Sequence, residues 1–229
     1  MLGRMKADKA RVGVLLCGSG YKDGSEIREA VAVLWALSAS GAEVRCFAPD
    51  APQTDVVNCL TGDATPNESR NMLVEAARIA RGQIEPLSRF DAADVDALIL
   101  PGGFGAAKNL CDFAFKGSNG QVRPDVRAAL ESIAKARKPI GAVCIAPALL
   151  ALTFKGQGLK LTLGAAGEAA QELEKLGHRH EVCEPQACVV DEVHRVVSSP
   201  AYMYDDAPLH LIFEGIRKLV AETLRLARR

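Results

Sequence analysis

The sequence predicts a doubly wound α/β fold in which a mostly parallel central sheet is covered by helices on both faces. Two observations carry this. Short apolar runs rich in β-branched residues alternate with longer stretches of helical periodicity, the sequence form of βαβ units. Three of those runs also end in loops of glycine, cysteine or proline, and such loops lie where open α/β sheets bind ligands, outside the carboxyl ends of the strands.

The first strand is read near Val12–Leu16 and the second near Glu43–Phe47. Between them Ser25 can cap a helix that runs to about Ser40 and stops at Gly41, with Ile27, Val31, Leu34 and Leu37 on one face. A polar segment punctuated by Pro and Gly, 49–67, reads as an insertion over one edge, before a helix near Glu68–Arg81 that ends at Gly82. Strands near Ala97–Leu100 and Ile140–Val143 enclose a helix over Pro124–Ala136, and a further helix follows over Ala146–Leu152. Leu159–Leu163 is read as a strand and Glu168–Leu176 as a helix before Gly177. Cys188–Val190 and Val196–Val197 flank a hairpin turn at Asp191–His194, and a C-terminal helix covers about Pro208–Leu226. The pattern contains no repeat or interdomain linker, so residues 12–229 are read as a single domain behind a short lead-in, 1–11.

Composition narrows the function. With 28 basic and 28 acidic residues among 229, the chain lacks the charge excess of a protein that neutralises nucleic-acid phosphates. The uncharged run Pro139–Phe154 is too short and too interrupted by Pro147 to span a bilayer. The expectation is therefore no nucleic-acid partner and no membrane span. Seven cysteines, without Cys-x-x-Cys spacing, suit a reducing compartment. The N-terminus is basic but has no apolar core of a secretory signal, and the expected location is the cytoplasm.

Cys144 follows a strand directly and precedes a helical run, the position of a nucleophile elbow. Ala142 and Ala146 supply the small neighbours such a bend needs, and Pro147 sits where a missing N–H costs nothing. A helix N-terminus would lower the thiol pKa. The alternative is a small core thiol, as buried cysteines usually are. Pro101-Gly102-Gly103-Phe104-Gly105 lets backbone N–H groups approach a ligand, so Gly103 can supply one oxyanion donor and Ile145 the other; the alternative is an ordinary glycine turn. Glu26, opening the first helix, is either a cap or an acid/base reaching toward Cys144. Gly18-Ser19-Gly20 lacks the third glycine of a dinucleotide fingerprint, since position 23 is Asp. His178, His180, Cys183 and Cys188 are close in sequence but match no common zinc spacing, and no metal is expected.

Taken together, Asp23-Gly24-Ser25-Glu26-Ile27, Arg70-Asn71 with the helix Glu75-Ala76-Ala77-Arg78, Pro101 through Leu110, Cys144-Ile145-Ala146-Pro147-Ala148 and Pro200-Ala201-Tyr202-Met203 resemble the ElbB-like glyoxalases. These belong to the class I glutamine amidotransferase-like superfamily, with the PfpI-type proteases and the Parkinson-associated deglycases. The resemblance runs from about Val12 to Leu226. It implies a flavodoxin-like sandwich, usually dimeric, with Cys144 as nucleophile and Glu26 beside it. Gly102 and Asn109, within the matching blocks, join Gly103 and Ile145 as candidate oxyanion and substrate-binding residues. It further implies glutathione-independent conversion of glyoxal or methylglyoxal to a 2-hydroxy acid, without a cofactor, and a link by name to isoprenoid biosynthesis.

The chain departs from superfamily patterns in three places. It has no His-x-Glu pair, Ile145 rather than His follows Cys144, and Thr162–Gly167 holds no His where related deglycases carry one. The general base is thereby left without a histidine. The leading expectation is a Cys144 hemithioacetal of a small 2-oxoaldehyde; its rival is a sensor or interaction protein whose Cys144 is oxidised without turnover.

Overall fold

The computed structural model describes residues 9–229. Most of the expected lead-in, 1–11, lies outside the described residues; its last residue, Arg11, already opens the first strand. In chain order the elements are β1 (Arg11–Leu15), α1 (Ile27–Ala39), β2 (Glu43–Ala48), α2 (Met72–Ile79), β3 (Ile84–Pro86), β4 (Ala97–Leu100), α3 (Phe104–Lys108), α4 (Phe113–Lys116) and α5 (Pro124–Lys135). They continue as β5 (Ile140–Val143), α6 (Pro147–Thr153), β6 (Lys160–Leu161), α7 (Glu168–Lys175), β7 (Arg179–His180), β8 (Val189–Asp191), β9 (Val196–Ser199) and α8 (Leu209–Ala227).

The central sheet has the order β3-β2-β1-β4-β5-β9-β8, parallel throughout except for β8, which pairs antiparallel with β9. The chain runs outward from β1 through β2 to β3, then returns to place β4 on the other side of β1. That reversal opens a crevice at the carboxyl ends of β1 and β4, with the end of β5 beside it. β1, β4 and β5 are apolar and buried along almost their whole length, and β9, Val196–Ser199, is wholly buried, because both sheet faces are covered. One face packs Val33, Leu37, Ile216 and Leu219 of α1 and α8; the other packs Leu130, Ile133, Leu149 and Leu173 from α5, α6 and α7.

Several elements differ from the sequence reading, each for a local reason. The strand expected over Leu159–Leu163 shortens to β6, which leaves the main sheet and pairs in parallel with β7. Two histidines pin this small ribbon. The His178 ring accepts from the Leu159 N–H at 3.1 Å and has its other nitrogen 2.9 Å from the Ala151 carbonyl, and His180 Nε2 accepts from the Leu163 N–H at 3.1 Å. These ring nitrogens serve the backbone rather than a metal.

The helix α1 turns a different face inward. Ala30, Val33, Ala36 and Leu37 are buried, while Ile27 and Val31 are 45% and 44% exposed. Ser25 does not cap it: its Oγ accepts from the Cys17 N–H at 2.9 Å, and Glu26 caps by accepting from the Glu29 N–H at 2.6 Å. The 49–67 segment does not hang over the sheet edge. Gln53 Nε2 donates to the Asp23 carbonyl at 3.0 Å, the Val57 N–H donates to Asp23 Oδ2 at 2.9 Å, and Asp55 pairs with Lys108 at 2.6 Å. The segment thus braces the loop after β1 against α3.

Candidate active site

β5 ends at Val143, and the next residue, Cys144, has φ of +59°. A side chain in this left-handed region is strained, and the strain is held here by a bond from the Cys144 N–H to the Ser199 carbonyl at 2.8 Å. Ala142 and Ala146 are fully buried, so larger residues would not fit the bend. The backbone N–H groups of Gly103 and Ile145 lie beside the sulfur and favour its ionised form. This is the pair expected from the sequence to face an oxyanion.

A carboxyl group completes the environment, and it belongs to Glu29. This residue lies one helical turn beyond Glu26, on the inward face of α1, and is 0% exposed. Its Oε2 accepts from the Gly102 N–H at 2.9 Å, its Oε1 from the Tyr202 N–H at 3.2 Å, and the carboxyl lies beside the Cys144 thiol. Burial, then the nearby Glu26 charge, pushes the Glu29 carboxyl up to about 8. At neutral pH it is therefore mostly protonated and can donate to sulfur.

Burial is also the largest influence on Cys144 and pushes its thiol upward, with an ionised Glu29 adding to the rise and the two N–H groups opposing it. The expected lowering by a helix N-terminus is not what governs this thiol: α6 has only seven residues and no side-chain cap, so its dipole is small beside desolvation. Protonating Glu29 removes its repulsion while the N–H groups remain, so the state of the carboxyl sets how far the thiol is disfavoured from ionising. Burial raises the other interior thiols too, Cys17 and Cys111 to about 12 and Cys46, Cys183 and Cys188 to about 11. Cys144 alone of the seven lines the cavity over the strand ends, which holds about 720 Å³.

This geometry can be set beside known proteins. The chain is 44% identical over 226 residues to the human glutamine amidotransferase-like class 1 domain-containing protein 3, mitochondrial, covering 95% of this chain and 83% of the relative. The chain belongs to the ES1-type glutamine amidotransferase-like class 1 family. The rat ES1 protein homolog, mitochondrial, gives 44% identity over 227 residues, with 95% and 84% covered. A crystal structure described as an isoprenoid biosynthesis protein with an amidotransferase-like domain, from Ehrlichia chaffeensis, superposes with a TM-score of 0.86 at 36% identity over 94% of this chain and 99% of that one. No protein-family model matches the chain. As in that structural relative, the fold is the flavodoxin-like sandwich with a mostly parallel sheet. Among the described residues no helix is long and apolar enough to cross a membrane.

The structure distributes the sequence candidates of this family member unevenly. Cys144, Gly103, Ile145 and Glu26 line one cavity. Glu26 Oε2 serves as the cap of α1, and the carboxyl that acts on the thiol is that of Glu29. The Gly102 N–H is committed to Glu29 and is not free for an oxyanion. Asn109 is buried away from the cavity lining, its Nδ2 donating to the Asp23 carbonyl at 2.8 Å and its Oδ1 accepting from the Thr54 N–H at 2.8 Å, so it secures the loop rather than a ligand.

Glu29 and Tyr202 were not singled out from the sequence as site residues. For Glu29 a signal existed: counted with Ala30, Val33, Ala36 and Leu37, it is a carboxylate on a small-residue face that must pack against the sheet. Gly102 has a separate requirement. A Cβ there would lie 2.6 Å from Cys144 Cβ and 2.8 Å from Glu29 Oε2. Gly102→Ala should therefore destabilise by about 1–3 kcal/mol and displace the thiol–carboxyl pair. A melting curve and an iodoacetamide rate both shifted from wild type would show it; an unchanged rate would show that the pair tolerates the methyl group.

Proposed function

We propose that this protein is a glutathione-independent glyoxalase of the ElbB-like type, converting small 2-oxoaldehydes such as glyoxal and methylglyoxal to 2-hydroxy acids. The observation that supports it is a strained elbow cysteine whose sulfur faces two N–H donors and a mostly protonated carboxyl at the floor of a cavity. The Cys144 thiolate adds to the aldehyde carbon, giving a hemithioacetal whose oxyanion is held by the Gly103 and Ile145 N–H groups. The ionised fraction of Glu29 takes the thiol proton as the thiolate forms, and the protonated carboxyl later returns it to sulfur when the thioester is cleaved. Glu26 lines the cavity, and burial raises its carboxyl above the ordinary range, so it is suited to move the C1 proton to C2 through an enediolate. Water then cleaves the thioester and releases the acid. Water is consumed and oxidation level is redistributed within the substrate, so the balance needs no redox cofactor.

Chromatography of purified protein with glyoxal should show glycolate accumulating well beyond one equivalent. Loss of one equivalent of glyoxal without glycolate would replace this reading with that of an adduct-forming or oxidisable sensor at the same thiol.

We further propose a homodimer formed through α1 and α8, where Ile27, Val31 and Trp35 are 45%, 44% and 52% exposed and Trp35 meets Phe213 at 6.4 Å. Sedimentation should give a dimer for wild type and a monomer for Trp35→Glu. A reducing compartment, by the sequence the cytoplasm, is proposed as its location. The human and rat relatives are named mitochondrial, so fractionation into that organelle would displace the cytoplasmic assignment.

A further inference from the structure

A cavity of about 720 Å³ is the size that holds a drug-sized ligand, and methylglyoxal would fill a small corner of it. The walls away from Cys144 have a definite chemistry. Phe104, at the start of α3, and Phe115, on α4, both line the cavity and are 54% and 61% exposed. Large aromatic rings left open to water in a chain with only 5% aromatic residues are apolar surface that a ligand can cover.

The charged groups on the lining are unbalanced. Among the described residues Lys175 is the only cation on the lining, and its Nζ is paired with Glu172 at 2.5 Å. Glu172 also accepts from the Ser118 N–H at 2.6 Å, so that pair is internally satisfied. Glu168, in the first turn of α7, and Asp205, beyond the Pro200–Tyr204 segment, line the same cavity without a side-chain ion-pair partner among the described residues. Their unpaired charge makes the outer part of the cavity negative, while Glu26, deeper in, is offset by the Arg28 guanidinium beside it, and faces of aromatic rings favour cations as well.

We propose that the substrate of this site has, beyond its reactive aldehyde, an aromatic or apolar spacer ending in a cation, which lies along Phe104 and Phe115 toward Glu168 and Asp205. The inference rests on the carbonyl chemistry proposed for Cys144 and names the substrate class for it. Anionic aldehydes of the same size are repelled by the same groups.

The test compares two phenylglyoxals of matched size, one with a para trimethylammonium group and one with a para carboxylate. At low ionic strength kcat/KM should favour the cation by about tenfold or more, and the ratio should shrink as salt is added. The double variant Glu168→Gln, Asp205→Asn should bring the ratio to within about twofold. Phe115→Ala should weaken both substrates. Equal kcat/KM for the two charges in wild type would overturn the inference while leaving the glyoxalase reading in place.

Should neither compound be turned over, binding decides separately. Calorimetry on Cys144→Ala with benzyltrimethylammonium and with benzoate should show the cation bound about tenfold tighter or more. That result with no turnover would uphold the charge preference and reject the glyoxalase reading. Equal binding, or tighter binding of benzoate, would overturn the preference itself.

Discussion

Cys144→Ser is expected to lower glycolate formation by roughly three orders of magnitude or more, equivalent to about 4 kcal/mol of transition-state stabilisation. The substitution keeps the size of a side chain that sits in a bend with no spare room, so the fold should survive. What changes is the nucleophile. A serine hydroxyl between the Gly103 and Ile145 N–H groups ionises far less readily than a thiol, and no histidine stands by to take its proton. The measurement is steady-state production of the 2-hydroxy acid, with circular dichroism to confirm folding. Full activity in the serine variant would remove Cys144 from the chemistry and with it the proposed mechanism.

The second large effect is on stability, through Glu29. Its carboxyl is wholly buried and stands at about 8, against 4.5 for the free group. As pH rises above 4.5 the unfolded chain gives up this proton while the folded protein keeps it, so the folded state binds more protons and stability falls. The contribution is fully present below about pH 4.5 and is lost as pH rises through about 8. A displacement of that size corresponds to roughly 5 kcal/mol at most, or a melting temperature lower by on the order of 10 °C.

Glu29→Gln removes the proton and should flatten this component. His178 and His180 act in the opposite sense, because burial depresses both below their usual value of 6.5. Their contribution is present above pH 6.5 and is lost as pH falls below it. The difference between wild type and Glu29→Gln, taken at each pH from 5 to 8, cancels the histidines and isolates the glutamate. Parallel curves would show that Glu29 is not held protonated. In the same variant the pH profile of iodoacetamide reaction should simplify from a coupled titration to a single step.

How much of this was legible in the sequence depends on which kind of information a residue carries. The elbow was legible because strand, small residue, cysteine, small residue and helix are adjacent in the chain, and the local bend dictates that order. The placement of Gly103 and Ile145 beside the cysteine was legible for a similar reason, as each follows the end of an apolar strand. The partner of the thiol was misplaced by three residues. Sequence pattern shows that α1 is amphipathic, but α1 has apolar residues on two faces, and choosing between them requires knowing which one meets the sheet. Of the expected face Ile27, Val31, Leu34 and Leu37, only Leu37 is fully buried, while Ile27 and Val31 stay outside beside Trp35; Ala30, Val33 and Ala36 take the inner positions, since close packing against the sheet favours small side chains.

Asn109 and the 49–67 segment show the same division. Asn109 is a candidate binding residue through its place in a block shared with the family, and the 49–67 segment reads as an edge insertion from its polar, Pro- and Gly-punctuated composition. Their hydrogen bonds instead join positions distant in the chain, Asn109 to Asp23 and Thr54, Asp55 to Lys108. By itself the sequence determined a mostly parallel α/β sheet, the crevice at its carboxyl ends and the cysteine presented there, because strand burial, helix period and bend geometry are local properties. Only the tertiary structure decided that Glu29 is the carboxyl beside the thiol, that Gly102 is spent on holding Glu29, and that aromatic and acidic side chains line the cavity. Those are properties of side chains brought together from different strands and helices, and their burial, which sets the protonation of the pair, exists only once the elements have packed.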